Sequence, residues 1–289
     1  MPDDIAQNDI ARKAAAASAS SRNLRQRVGS GIVMAALALG LVYAGPIPTA
    51  LMILVAALVM CWEWGHLIRA VSADLAFGVH AVSVAAAIGL MTGAQSVFAL
   101  VALLAGTVAV LVLTLSKRPL LSALGVPYVG LAATALIWLR LDATHGFAAV
   151  VFLLLVVATT DTLAFAFGRT IGGAKLWPSV SPNKTWAGFL GGVGSSALVS
   201  AAFASAIPGA SFLRLGVIGL LLGIIAQGGD LAESGLKRFL GVKDASSIIP
   251  GHGGVMDRMD GVVTVAVAAA IYALVLNATA PATALLIGG

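Results

Sequence analysis

Nine apolar stretches, at approximately residues 31–45, 49–68, 75–92, 96–115, 126–139, 147–167, 187–207, 213–229 and 261–280, fill most of this 289-residue chain. A backbone lying in hydrocarbon must satisfy its own N–H and C=O groups, and a helix does so within a single segment. The reading is therefore all-α: a polytopic integral membrane protein of about nine transmembrane helices. Some stretches fall short of the ~20 residues of a perpendicular span, so the count is good to one helix. Charge agrees with this, since only 10% of the residues are charged, against about 25% in an ordinary soluble domain.

Residues 1–30 are polar, rich in Ala and Ser, and basic toward their end. They are read as a mobile cytoplasmic tail; the rival is a signal peptide cut near Val42-Tyr43-Ala44, against which stands the length of the leading region. Beyond the tail, 31–150 holds the N-terminal helices and 151–289 the C-terminal ones. With the N-terminus cytoplasmic, fifteen Lys or Arg residues fall inside and only Arg140 and Arg214 outside, a strong positive-inside bias. The same count puts two unusually long connections, 168–186 and 230–260, on the cytoplasmic side, where function is to be sought.

The available chemistry is limited. Cys61 is the single cysteine, and the four histidines at 66, 80, 145 and 252 are scattered, which excludes an internal disulfide and a cysteine-built zinc or iron–sulfur centre. Carboxylates, bases, hydroxyls and amides remain. Nine of the chain's 29 charged residues lie between 230 and 260. If the preceding helix continues past the membrane edge, Asp230, Glu233, Ser234, Lys237 and Arg238 share one face. Pro250-Gly-His-Gly-Gly then breaks the helix and offers amides suited to phosphate. Asp257 and Asp260 follow one turn apart, and an oxygen-only set of this kind favours Mg²⁺.

In the other connection Asp161, near the end of an apolar span, needs a cation, a proton or a partner such as Arg169. Ser181, Asn183, Lys184 and Thr185 crowd just before a helix, as in a phosphate- or base-binding loop; a simple N-cap would need Ser181 or Asn183 alone. Plainer readings exist for each feature. Basic loops mark topology, Gly-Gly pairs make turns, and Asp257 and Asp260 could serve only the helix dipole. Glu63, between Trp62 and Trp64, is read equally well as structural or functional. What the plain readings leave unexplained is so many functional types in one segment.

Ser234 through Asp260 resembles the CDP-diacylglycerol synthase (phosphatidate cytidylyltransferase) family. The family signature runs Ser-x-apolar-Lys-Arg, four residues, Lys-Asp-x-small, two residues, apolar-Pro/Gly-x-His-Gly-Gly-apolar-x-Asp-Arg-apolar-Asp, and every specified position is met. Asp161, Gly168-Arg169, Lys175 and Ser181-Pro-Asn-Lys184-Thr-Trp186 resemble the family's other stretch, with one departure at Ala187, where the family carries Glu. The resemblance covers about 161–261; the first 150 residues share only hydropathy.

It implies cytidylyl transfer from CTP to phosphatidate in phospholipid biosynthesis, at the cytoplasmic face of the plasma (inner) membrane. No nucleic acid is involved, and a homodimer is left open. Asp230 and Asp257 are assigned as principal Mg²⁺ ligands, with Asp161 and Asp260 supporting or holding a second cation. Lys237, Arg238, Lys184 and Arg258 are assigned to the triphosphate and the lipid phosphate, alongside Lys243. His252, Gly253 and Gly254 are assigned to phosphate or departing pyrophosphate, and Ser181, Asn183, Thr185 and Ser234 to polar positioning. The rivals are a CTP-dependent lipid kinase, a CDP-alcohol phosphotransferase, whose Asp-Gly…Ala-Arg pattern is absent, and a secondary transporter.

Overall fold

A computed structural model describes residues 31–288 except 32, 72, 117, 247 and 249–252. The basic tail expected over 1–30 and the assignment of His252 lie outside the described residues. Among the described residues eight helices are long and apolar enough to cross a membrane: α2 (Pro46–Arg69), α3 (Leu75–Thr92), α4 (Ser96–Leu113), α5 (Pro119–Arg140), α6 (Gly146–Thr170), α7 (Trp186–Phe203, prolonged by a 3₁₀ turn at Ala204–Ala206), α8 (Phe212–Phe239) and α9 (Met256–Leu276). A shorter apolar helix, α1 (Val33–Ala44), precedes them, and α10 (Pro281–Leu286) follows. The nine expected spans thus become eight long helices and one short one.

Local signals place the helix ends. Pro46 opens α2, where a missing N–H costs nothing, and Ala70 closes it in a left-handed conformation. Asp74 caps α3 by accepting the Phe77 amide at 2.7 Å, and it pairs with Arg69 at 2.9 Å to fasten the turn between the two helices. At the opposite end Asp142 accepts the amides of Thr144, His145 and Thr283, at 2.9, 3.0 and 2.9 Å, and so ties α10 to the α5–α6 turn.

Short connections make successive helices antiparallel neighbours, with α5 the most enclosed span: 67% of its apolar window is buried, against 22% for α4 on the outside. Glycines set the closest approach. A Cβ on Gly188 would strike the Ala164 carbonyl, and one on Gly192 the Thr160 carbonyl, so α7 lies directly on α6, as small residues permit in lipid, where packing has to replace the hydrophobic drive.

Two expectations need correction. About half of the connection read as 230–260 is helical: α8 runs to Phe239 and α9 begins at Met256, ten and five residues beyond the apolar stretches. A hydropathy window stops at the first charge, but the backbone ladder does not. The second addition is a two-stranded antiparallel hairpin, β1 (Lys175–Trp177) and β2 (Ser181–Thr185), paired Lys175↔Thr185 and Trp177↔Ser181. Strands of three and five residues are too short to show an alternating pattern.

Candidate active site

By helix alternation, Arg69, Arg118, Arg169, Lys184, Lys237 and Arg258 fall at one end of the bundle. That end holds a cavity of about 680 Å³ between α6, β2, α7, α8 and the first turn of α9. Five acids line it: Asp161 from α6, Asp230 from α8, Asp244 from the connection after α8, and Asp257 and Asp260 from α9. So do Arg169, Lys184, Lys237 and Arg258.

The hairpin delivers Lys184. Its Nζ lies 2.5 Å from Asp230 Oδ2, while Ser234, one turn on along α8, donates to Asp230 Oδ1 at 3.3 Å. Thr185 ends β2 and caps α7, its hydroxyl accepting the Gly188 amide at 3.1 Å. The N-cap is therefore Thr185 rather than Ser181 or Asn183, and this seats the hairpin against α6 through the glycine contact of α7.

Deeper in, Lys237 is surrounded by acid. Its Nζ donates to Glu233 Oε1 at 3.0 Å and to Asp257 Oδ1 at 2.5 Å, and Tyr128 of α5 donates to Glu233 Oε2 at 3.1 Å. Asp257 also accepts the amides of Gly254 at 2.8 Å and Ala245 at 3.1 Å on Oδ2. Side-chain exposure is 11% for Lys237, 2% for Glu233 and 11% for Asp257. Lys237 is thus already paired with acid on two sides.

Asp260 stands in a different field. The carboxylates of Asp230, Glu233 and Asp161 all act on it, and the cations acting on Asp161 are Lys184 and Arg258. Arg169, the partner expected for Asp161, stands instead 6.0 Å over the Phe165 ring.

Five acids and four cations share its walls, the donors are all oxygen or nitrogen, and the cavity lies at one end of a bundle whose helices are long and apolar enough to cross a membrane. Such a place can hold a polyphosphate. Residues 25–276 match the family described as "Cytidylyltransferase family". The chain belongs to that family. It is 37% identical over 252 residues to the phosphatidate cytidylyltransferase of Brucella abortus, covering 86% of this chain and 92% of that protein. With the phosphatidate cytidylyltransferase of Staphylococcus saprophyticus it shares 42% identity over 138 residues, 47% of this chain and 52% of that one. The molecule is accordingly a nucleotidyltransferase, and an enzyme of the membrane.

In this cytidylyltransferase the cavity brings together Asp161, Asn183, Lys184, Thr185, Asp230, Lys237, Asp257, Arg258 and Asp260, and Ser234 sits behind Asp230. Other assigned residues lie off its walls. Arg238 is exposed and donates to the carbonyls of Val180 and Val242 at 3.4 and 3.5 Å. About 100° per residue separates successive side chains, so the five polar positions of α8 form a broad stripe: Asp230 and Lys237 at its middle, Glu233 turned to Tyr128, Arg238 turned to the hairpin. Lys243 is exposed on the connection, and Ser181 lies at the hairpin's far end.

Of the amides offered to phosphate, that of Gly254 is taken, and so are the two that follow it. Gly254 N goes to Asp257, while Val255 N and Met256 N go to Glu63 of α2, at 2.9 and 2.6 Å. The cavity also receives Gln227, Asp244 and Arg169, which had no site assignment. Tyr128, missed too, carried a faint signal as a polar handle beside Pro127 in an apolar span.

Proposed function

We propose that this cytidylyltransferase joins the cytidylyl group of CTP to phosphatidate, releasing pyrophosphate and leaving CDP-diacylglycerol in the membrane. The observation carrying this reading is the one cavity at the end of a membrane bundle in which Asp161, Asp230 and Asp260 stand among Lys184, Arg169 and Arg258. The activity in the relatives' names supports the choice of substrates.

An oxygen of the lipid phosphate attacks the α-phosphorus, the bond from that phosphorus to the bridging oxygen breaks, and pyrophosphate leaves with the electron pair. A phosphate monoester is already anionic near neutral pH, so no base need activate it. The protein's work is then alignment and neutralisation of charge. Lys184, Arg169 and Arg258 are the cations placed for the phosphates, and Lys237 holds the frame behind them.

Among the described residues no three His, Cys, Asp or Glu side chains converge as a ready-made metal site. The donor set still fits a Mg²⁺ that arrives with the nucleotide, because that ion takes one or two carboxylates and completes its shell with phosphate and water. Asp230 and Asp260, with Asp161 beside them, would hold it, with Lys184 yielding its place on Asp230 Oδ2; Asp257 is tied more heavily, by Lys237 and by two amides. Bound there, the ion supplies neutralisation of triphosphate charge. The positive-inside rule turns this cation-rich end toward the cytoplasm, where CTP is found.

The test is α-labelled CTP with purified protein and phosphatidate vesicles. Label should enter lipid, stop with EDTA and return with Mg²⁺. Entry of γ-label instead would identify a kinase and overturn the reading, while transfer indifferent to chelation would remove the cation alone.

A further inference from the structure

Glu63 is fully buried within a membrane-crossing helix, where an acid without partners is costly. Its partners come from far along the chain. The Ser246 hydroxyl donates to Oε1 at 2.5 Å, the Val255 amide to Oε1 at 2.9 Å and the Met256 amide to Oε2 at 2.6 Å. The first amides of a helix have no partner within it, and a negative charge there is favoured by the helix dipole. Glu63 therefore caps α9 from α2. Asp257 meets the same segment from its other side through the amides of Ala245 and Gly254. The fit leaves no slack, since a Cβ on Gly254 would collide with Glu63 Oε1. Asp257, Arg258 and Asp260, which line the cavity, all follow within about one turn of the two amides that Glu63 holds.

We propose that Glu63 is a positioning residue of the transfer reaction: from α2 it fixes the first turn of α9, so that Arg258 and Asp260 stand where the nucleotide phosphates bind. The inference rests on the proposed cytidylyl transfer. Only a carboxylate presents two acceptors side by side. Glutamine would set its NH₂ against at least one donor whichever way it turned. Aspartate keeps both oxygens on a shorter stem.

The experiment uses the full chain in lipid nanodiscs, as Glu63→Gln and Glu63→Asp. It measures kcat and the two KM values per folded molecule, together with deuterium exchange of the amides in 245–256. Glu63→Gln should lower kcat about 100-fold, the scale of a misplacement near 1 Å, and should speed exchange in 245–256, with the phosphatidate KM little changed. Glu63→Asp should recover part of kcat. Unchanged exchange in that segment, or kcat per folded molecule within about twofold of wild type, would overturn the proposal. Should Glu63→Gln fail to fold, Ser246→Ala removes one of the three donors and is judged on the same two readouts. A wild-type chain that makes no CDP-lipid would sink the proposed substrates instead, and the exchange result would still report on Glu63.

Discussion

Replacing Lys237 by Met tests whether the charged centre of the site behaves as a buried network. Methionine is similarly long, unbranched and an equally good helix former, so the change removes charge and two bonds with little else. Glu233 and Asp257 would then face each other at 2% and 11% side-chain exposure. Removing one partner of a buried pair costs about 3–5 kcal/mol, because the charge left behind is uncompensated; an exposed pair is worth only about 0–1 kcal/mol. At roughly 2–4 °C per kcal/mol for chains near this size, the unfolding midpoint should fall by about 6–20 °C.

The chain carries its own reporter for that measurement. Cys61 is the sole cysteine and is fully buried in α2, so a thiol-reactive dye labels it only as the bundle opens. Neutralising an acid as well, in Lys237→Met with Glu233→Gln, should return part of the loss, because neighbours in one network couple by about 0.5–3 kcal/mol. A midpoint drop for Lys237→Met of less than about 4 °C, the scale of an exposed pair, or strict additivity in the double variant, would refute the reasoning.

Two further outcomes follow from packing and from the outer turn. Gly188→Ala should push α7 off α6 and disturb the Thr185 cap, at about 1–3 kcal/mol, whereas Gly194→Ala, with nothing within 4 Å of its new Cβ, should be neutral or slightly stabilising; equal melting points for the two would contradict this. At Asp142, partial burial pushes the carboxyl up, but the amides of His145, Thr283 and Thr144 outweigh it and hold the group below the usual carboxylate range. A depressed folded pKa gives stability that is present above the unfolded value and is lost as pH falls through the folded one. Asp142→Ala should therefore melt lower than wild type at neutral pH, with the gap closing in acid; a gap independent of pH would count against it.

The number of helices and the charge composition of the cavity were legible in the sequence because both follow from what lipid excludes. Apolar length reveals spans, and an acid or base kept beside them has to face protein or water, so Asp161, Lys184, Asp230 and Asp260 could be found one at a time. The ends of α8 and α9 were not legible, since the ladder runs on beneath polar side chains. Nor was the split of the α8 stripe, where a rotation of about 100° per residue puts Arg238 against the hairpin although it adjoins Lys237. The bond from Glu63 to Met256 spans 193 positions, and nothing local to either residue announces it.

These contacts divide the site into a fixed frame and an open half. In the frame every buried charge is answered within the protein: Lys237 by Glu233 and Asp257, Glu63 by a hydroxyl and two amides, Glu233 further by Tyr128. Two of these supports, Glu63 and Tyr128, come from α2 and α5, outside the 161–261 stretch that carries the sequence motifs. In the open half Asp230 has Lys184 alone as its ion-pair partner among the described residues, and Asp161 and Asp260 have no ion pair there within 4 Å. Asp161 is exposed and Asp230 and Asp260 are half-buried, so all three are accessible from the cavity they line. The frame is thus balanced within the protein, and the open half is where the proposed metal and triphosphate would have to be received.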